Sequence, residues 1–405
     1  MVRSLLLGYL MNSAVSGFLA SGISAGIKSS QQPDLGLIFS PVPAAAAAVF
    51  TTNKIKAAPV RESLARLTQS GGIVQALIVN SGNANACTGA AGIRNVQSIC
   101  RALAGALNVP VGHVLMASTG IIGVPLPLET VNGSLPRLVS TLSADGLDDF
   151  AHAIMTTDTF PKRIMKKIRL AGAEVSLCGI AKGAGMIMPR MATMLAFILT
   201  DLAIAPELLR SAFREAVDDS FNAITIDGDT STNDTALILA NGQAGNALLK
   251  NDNDDADIFR AALSSLLRDL ARLILKDAEG ATKTVTVMVV RAKTAAEAKD
   301  IAYQVANSPL VKTAFFGEDL NWGRIMAAIG KTAYDINPDS IDILINSVKV
   351  VENSTATGLT STAADLLKGN EFTVTIDLHR GSDSAEVGTT DLSIEYVKIN
   401  SSYPT

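Results

Sequence analysis

The chain has 405 residues, 48% of them hydrophobic and 18% charged, enough apolar material for a large core and, at that length, two or three domains. Its formal net charge is −4, and no basic block with interleaved aromatic residues occurs, which argues against a nucleic-acid partner. The three cysteines, Cys87, Cys100 and Cys178, are odd in number and never spaced C-x-x-C. Reduced, buried thiols of a cytosolic protein are therefore expected, not a disulfide framework or a zinc site.

Residues 4–27 carry no charge and follow Arg3, a pattern shared with signal peptides and membrane spans. Gly8, Gly17, Gly22 and Gly26, with Asn12 and several serines, favour instead a glycine-punctuated strand and turn over 17–28. The alanine run 44–48 predicts the first turns of a helix. Residues 74–79 and 115–117 read as strands and 93–107 as a helix. Pro206 opens a helix to 219, where its missing N–H is harmless. Phe259, Leu263, Leu266, Leu270 and Leu273 recur at three and four, so 257–276 is an amphipathic, core-facing helix. Residues 284–290 alternate as a strand, and Thr294-Ala-Ala-Glu297 is a capping box opening a helix to about Asn307. Beyond 341 short strands are expected at 341–345, 348–351, 372–377 and 392–397. The mixture is α/β or α+β, with a strand-rich C-terminal domain starting near Thr284. No linker, low-complexity tail or repeat interrupts it.

The histidines, His113, His152 and His379, lie in no H-E-x-x-H motif and beside no Gly-x-Ser-x-Gly elbow, so a zinc protease or a serine triad lacks support. A base must come from elsewhere. Lys182-Gly-Ala-Gly-Met-Ile-Met-Pro189 is glycine- and methionine-rich, and Met191-Ala192-Thr193 then leads into the apolar run 194–199. With no G-x-G-x-x-G and no Gly-Lys-Ser/Thr, the glycines are weak evidence for phosphate binding. Taken alone, an ordinary loop before a buried strand is the simpler reading. The sharper one is an autocleavage site, because a Thr hydroxyl beside small Ala192 can attack the preceding carbonyl. Cleavage would leave Thr193 with an α-amine of ordinary pKa about 7.7–8.0, a competent base for its own hydroxyl without any histidine.

A tetrahedral intermediate needs fixed donors, and Ala117-Ser-Thr119-Gly120-Ile-Ile-Gly123 is a candidate, though equally a glycine turn. Met155-Thr-Thr-Asp-Thr159 and Asp227-Gly-Asp-Thr-Ser-Thr-Asn-Asp-Thr235 could bind a polar substrate or cap turns. The latter is a poor calcium loop, lacking the EF-hand spacing.

These blocks, with Ala25-Gly-Ile-Lys28, Val49-Phe-Thr-Thr-Asn53, Asn80-Ser-Gly-Asn-Ala-Asn-Ala86, Glu279-Gly-Ala-Thr-Lys283, Leu310-Val-Lys-Thr-Ala314 and Asn321-Trp-Gly-Arg-Ile325, occur in one order. From about Gly17 to Thr405 the chain resembles the ornithine acetyltransferase family, the bifunctional glutamate N-acetyltransferases of arginine biosynthesis. The resemblance implies an N-terminal-nucleophile-like, aminopeptidase/esterase-type catalytic fold over 1–283, with an α+β domain over 284–405. It implies a cut before Thr193, giving an α chain of 192 residues and a β chain of 405 − 192 = 213. Thr193 would be the nucleophile, Thr119 and Gly120 the oxyanion hole, and Thr156, Lys182, Glu279, Asn400 and Thr405 substrate contacts.

The implied reaction is ping-pong transfer of acetyl from N-acetylornithine to glutamate. No resident cofactor or metal is implied, and use of acetyl-CoA as a second donor is left open. An α2β2 assembly follows from the resemblance, with no nucleic acid or membrane partner. The bacterial cytoplasm is favoured, with a fungal mitochondrial matrix as the alternative. The chain departs from the family pattern at Ala184, where serine is common, at Ala223, where arginine is common, in its ending Tyr403-Pro-Thr405, and over its first fifteen residues. Two other readings compete. One is an N-terminal-threonine amidohydrolase or aminopeptidase, with water as acceptor. The other is an uncleaved binding protein.

Overall fold

The computed structural model describes residues 15–170, 172–188, 194–359 and 364–402. Their fold is mixed α/β, built on two sheets. The first contains β1 (Leu19–Ile23), β2 (Leu35–Phe50), β3 (Ile73–Asn83), β4 (Val114–Ile121), β5 (Lys162–Leu170), β6 (Ala173–Lys182), β7 (Leu195–Thr200) and β8 (Thr235–Ala240). Its order is β4-β3-β2-β8-β7-β6-β5, with β1 on β2. The β3–β4 and β7–β8 pairs are parallel and the others antiparallel.

Both faces of this sheet are covered, and its central strands consequently read as unbroken apolar runs. In β7, Ala196 and Ile198 join one core while Leu195, Phe197 and Leu199 join another; β8 divides Ile238 from Leu237 and Leu239 in the same way. The period is the strand's own alternation. Helix α5 (Pro206–Asp218) and helix α6 (Asp254–Lys276) belong to the first core. Phe259, Leu263, Leu266 and Leu270 are all fully buried there, as their spacing predicts. Each stabilises the fold by roughly 1.5–3 kcal/mol. Asn253 caps α6 by accepting from the Ala256 N–H at 3.1 Å.

The other core sits under α4 (Leu147–Ala153) and includes Phe150, edge-on to Phe197 with ring centroids 5.7 Å apart. Helices α1 (Ala58–Gln69), α2 (Gly89–Leu107) and α3 (Leu128–Ser140) flank the β3–β4 side.

The second sheet holds β9 (Thr284–Ala292), β10 (Asp342–Ile345), β11 (Val348–Glu352), β12 (Thr355–Ala356), β13 (Glu371–Asp377) and β14 (Asp383–Thr390), in the order β12-β11-β10-β13-β9-β14. Val285, Val287 and Val289 face its own core, shared with α7 (Ala295–Ala306), α8 (Pro309–Phe316) and α9 (Trp322–Ile329). Thr294 Oγ1 accepts from the Glu297 N–H at 3.1 Å as the capping box requires, but Glu297 Oε2 reaches back to the Lys293 N–H, one residue earlier than Thr294. Among the described residues no helix is long and apolar enough to cross a membrane.

Three expectations fail. The alanine run 44–48 is not helical but the middle of β2, with Ala45 opposite Ala240 and Ala47 opposite Ile238. Pro41 and Pro43 impose extended backbone just upstream, and small side chains suit a central strand with both faces covered. Residues 392–397 form no strand; α10 (Ile394–Ser402) starts there. Ser393 Oγ accepts from the Tyr396 N–H at 3.2 Å, an N-terminal signal that outweighs the apparent alternation. Cys100 and Cys178 are buried thiols, but Cys87 is exposed, in a turn where its φ is 57°.

Candidate active site

The site begins where β3 and β4 end side by side, Ser81 opposite Thr119 and Gly82 opposite Gly120. Gly120 has φ 131°, and a Cβ there would lie 2.3 Å from the Gly82 carbonyl carbon. Only glycine fits this crossing, and its absence of a side chain bares the neighbouring backbone. Buried amides lock the strand ends. Ser118 Oγ donates to Asn80 Oδ1 at 2.5 Å, and Asn80 Nδ2 donates to the Asn83 carbonyl at 2.8 Å. Asn233, just before β8, donates from Nδ2 to the carbonyls of Ala84 and Ser118 at 2.7 and 2.8 Å. It therefore fixes the peptide leading into Thr119.

Lys182, the last residue of β6, is only 4% exposed. Its Nζ donates to Thr156 Oγ1 at 2.7 Å and to Thr119 Oγ1 at 3.4 Å, and lies 3.8 Å from Asp158 Oδ2. Burial lowers its pKa from the usual lysine value, while the facing Asp158 works the other way. Burial by itself would raise Asp158, but Lys182 and Lys162 outweigh it and hold that carboxyl below the ordinary range.

Glu279, beyond α6, is placed by its N–H donating to the Ala184 carbonyl at 2.8 Å. A Cβ at Gly185 would come within 2.4 Å of Glu279 Oε2, so any side chain there would push the carboxylate out of its present position. Asp227 accepts from the N–H groups of Met186 at 2.6 Å and Ile187 at 2.9 Å, and from Tyr396 Oη at 3.2 Å. Burial raises its pKa.

Thr119, Gly120, Thr156, Lys182, Glu279 and Asn400 all line one cavity of about 360 Å³. Residues 119 to 400 of the sequence thus converge on a volume suited to a small polar molecule. The lining includes the Lys182 ammonium and the acidic side chains of Asp227, Asp229 and Glu279, so the cavity offers partners for groups of either charge. Among the described residues no three His, Cys, Asp or Glu side chains gather as a metal site would need.

Ala192, Thr193 and Thr405 lie outside the described residues. The flank of Thr193 is described: the Met194 N–H donates to Asp234 Oδ1 at 3.1 Å, and the Met194 carbonyl accepts from the Thr235 N–H at 3.2 Å. Asp234 is completely buried, which raises its pKa well above the usual value.

Asn233, Asp227 and Tyr396 also line the cavity, and the sequence singles out none of the three as a site residue by itself. The first two belong to the polar run 227–235, where substrate binding and turn capping could not be told apart. Tyr396 lies in the stretch whose alternation suggests a strand but which folds as α10.

The family model described as the ArgJ family matches residues 19–405. The arginine biosynthesis bifunctional protein ArgJ of Geobacter sulfurreducens is 51% identical over 393 residues, covering 96% of this chain and 100% of the relative. Its counterpart of the same name in Syntrophotalea carbinolica is 47% identical over 393 residues, covering 96% of this chain and 99% of the relative. A crystal structure of the arginine biosynthesis bifunctional protein ArgJ of Bacillus halodurans is 39% identical with a TM-score of 0.50, and covers 52% of this chain and 100% of its own.

Proposed function

The chain belongs to the ArgJ family, and on that premise we propose that it moves acetyl from N-acetylornithine to glutamate through an acetyl ester on Thr193. The observation that carries this reading is the convergence of Thr119, Gly120, Thr156, Lys182, Glu279 and Asn400 on one cavity, with Met194 anchored by Asp234 next to the nucleophile in sequence.

Autocleavage comes first. The Thr193 hydroxyl attacks the Ala192 carbonyl, the amide nitrogen of Thr193 leaves as an amine, and water hydrolyses the ester to free the Ala192 carboxylate. That amine then serves as base on an N-terminal-nucleophile-like scaffold, taking the hydroxyl proton as Oγ attacks the acetyl carbonyl of N-acetylornithine. The oxyanion forms at Thr119 and Gly120, so its charge develops against fixed donors. Collapse breaks the C–N bond, and the α-ammonium of Thr193 returns the proton to the departing ornithine nitrogen. Glutamate's amine attacks the acetyl ester by the same steps in reverse order.

Lys182 suits a substrate carboxylate and Glu279 a substrate ammonium, with Asn400 beside it and Thr405 as a further contact. The word bifunctional in the relatives' names supports acetyl-CoA as a second donor to the same threonine. The separate cores of the two sheets support a division into 1–283 and 284–405. An α2β2 assembly of cleaved chains in the bacterial cytoplasm completes the proposal, and the bacterial relatives support that compartment.

The test is direct. Incubation with N-acetylornithine and glutamate should yield acetylglutamate and ornithine in equal amounts, and a denaturing gel should show two bands in place of one near 42 kDa. A second N-terminus should read Thr-Met-Leu-Ala. Thr193→Ala should abolish both cleavage and transfer. Free acetate without acetylglutamate would point instead to an N-terminal-threonine amidohydrolase.

A further inference from the structure

Lys162 opens β5, and its side chain has no exposure at all. A buried ammonium is costly unless carboxylates surround it, and two do. Its Nζ reaches Asp158 Oδ1 at 2.7 Å and Asp277 Oδ2 at 2.5 Å. Asp277 is held in turn by the Thr159 N–H, 3.0 Å from Oδ2, and by the Thr159 hydroxyl.

Asp158 does more than pair with Lys162. Its Oδ1 also accepts from the Gly183 N–H at 2.7 Å, and its Oδ2 accepts from the Thr156 N–H at 3.0 Å while facing Lys182 Nζ at 3.8 Å. One carboxylate thus fixes the turn bearing Thr156, the first peptide of the glycine loop and the charge of Lys182. We propose that Asp158 is a positioning residue of the acyl site, holding the Lys182 ammonium between Thr119 and Thr156 through a buried alternation of charges that runs Asp277, Lys162, Asp158, Lys182. This rests on the reading of Lys182 as the receiver of a substrate carboxylate.

A buried ion chain adds little to stability, because desolvation offsets most of its attraction. Its value here is geometric. Lys182 has four rotatable bonds, and Asp158, with the two threonine hydroxyls, selects one position for the charge. The charged groups facing Lys182 are Asp158 from the 155–159 turn, Lys162 from β5, Lys28 from the loop after β1, Glu279 beyond α6, and Asp234 before β8. Asp158 is the strongest of those that keep Lys182 protonated, and Lys162 opposes it.

The experiment compares full-length wild type, Asp158→Asn, and the paired variant Lys162→Met with Asp277→Asn, each checked for cleavage and thermal melting. Rates of acetyl transfer are followed against N-acetylornithine concentration and pH. A wild type that transfers no acetyl would sink the proposed function itself. With transfer in hand, Asp158→Asn should raise KM for N-acetylornithine at least tenfold. The ammonium is present below its pKa and lost as pH rises through it, so removing the facing carboxylate should bring the alkaline fall in kcat/KM to lower pH, by about one unit. The paired variant removes equal and opposite charge and leaves Asp158 against Lys182. Its alkaline fall should stay at the wild-type pH or move higher. A cleaved Asp158→Asn protein with wild-type KM and alkaline limb overturns the proposal. So does a paired variant whose limb falls to lower pH, since packing and not charge would then be responsible. If Asp158→Asn gives no cleaved protein, Asp158→Glu decides: a raised KM in a cleaved protein supports the proposal, and wild-type KM and alkaline limb overturn it.

Discussion

Asn400 Nδ2 donates to Glu279 Oε2 over 2.9 Å, tying the C-terminal helix to the cavity wall across 121 positions of sequence. The amide holds the Glu279 carboxylate facing the cavity. Asn400 is itself exposed, so water replaces its hydrogen bond when it is removed. Asn400→Ala should therefore cost about 1 kcal/mol of substrate binding, a rise of roughly fivefold in KM for N-acetylornithine. The melting temperature should hardly move, because α10 buries little. A fall in kcat at constant KM would show that the pair acts on the transition state and not on binding.

Gly120→Ala should be far more severe. The substitution brings a methyl group to within 2.3 Å of the Gly82 carbonyl carbon at a φ of 131° that alanine avoids. Strain of that kind costs about 1–3 kcal/mol before the clash is counted, and the clash is with backbone, which cannot rotate away. The strands β3 and β4 must separate, carrying Thr119 with them. A loss of transfer of at least about 100-fold is expected, together with a lower melting temperature. Wild-type rates in a well-folded Gly120→Ala protein would remove this strand end from the chemistry.

Much of this arrangement is legible in the sequence where one physical rule acts alone. The stripe at Phe259, Leu263, Leu266 and Leu270 has only one outcome, a core-facing helix, and Thr294 with Glu297 can only begin one. The alanine run 44–48 is strand and not helix because alanine's helix propensity is weak beside the demands of a central strand covered on both faces. The site divides similarly. Thr119-Gly120 reads equally as a glycine turn and Lys182 enters only through the family resemblance, whereas Asn233 acts through two carbonyls at Ala84 and Ser118 that only the folded chain brings to it. The Asp277, Lys162, Asp158 alternation is invisible for the same reason, since Asp277 lies 115 positions from Lys162.

A second buried lysine makes a pH prediction. Lys312, on α8, is 4% exposed and donates to Thr389 Oγ1 at 3.1 Å, to Thr390 Oγ1 at 3.3 Å and to the Thr390 carbonyl. Among the described residues no carboxylate lies within ion-pair distance of it. Burial pushes its pKa down from 10.5 to about 8. Below pH 8 the native state carries the full penalty of the charge. Between 8 and 10.5 the unfolded chain holds a proton that the native state has released, so this group makes stability rise with pH. The total is on the order of 3 kcal/mol. Relative to Lys312→Met, the wild type should therefore gain melting temperature from pH 8 to 10.5, and parallel curves for the two proteins would refute the assignment.

Asn233 offers the sharpest separation of chemistry from binding. Its Nδ2 is the donor to two carbonyls at 2.7 and 2.8 Å, and its Oδ1 accepts from the Thr232 hydroxyl at 2.5 Å. Asn233→Asp keeps the shape but, when ionised, has no donor and sets a carboxylate against two carbonyl oxygens. The peptide before Thr119 then loses its anchor, while Lys182, Glu279 and Asn400 keep their own partners. The loss should fall on kcat, about 100-fold, the size expected when an oxyanion donor is displaced, with KM within about threefold of wild type. Protonation would return one O–H donor to the aspartate. The ratio of variant to wild-type kcat should consequently climb as pH falls. A ratio that stays flat with pH, or a defect confined to KM, would mean that Asn233 serves the substrate directly and not the strand end that carries Thr119.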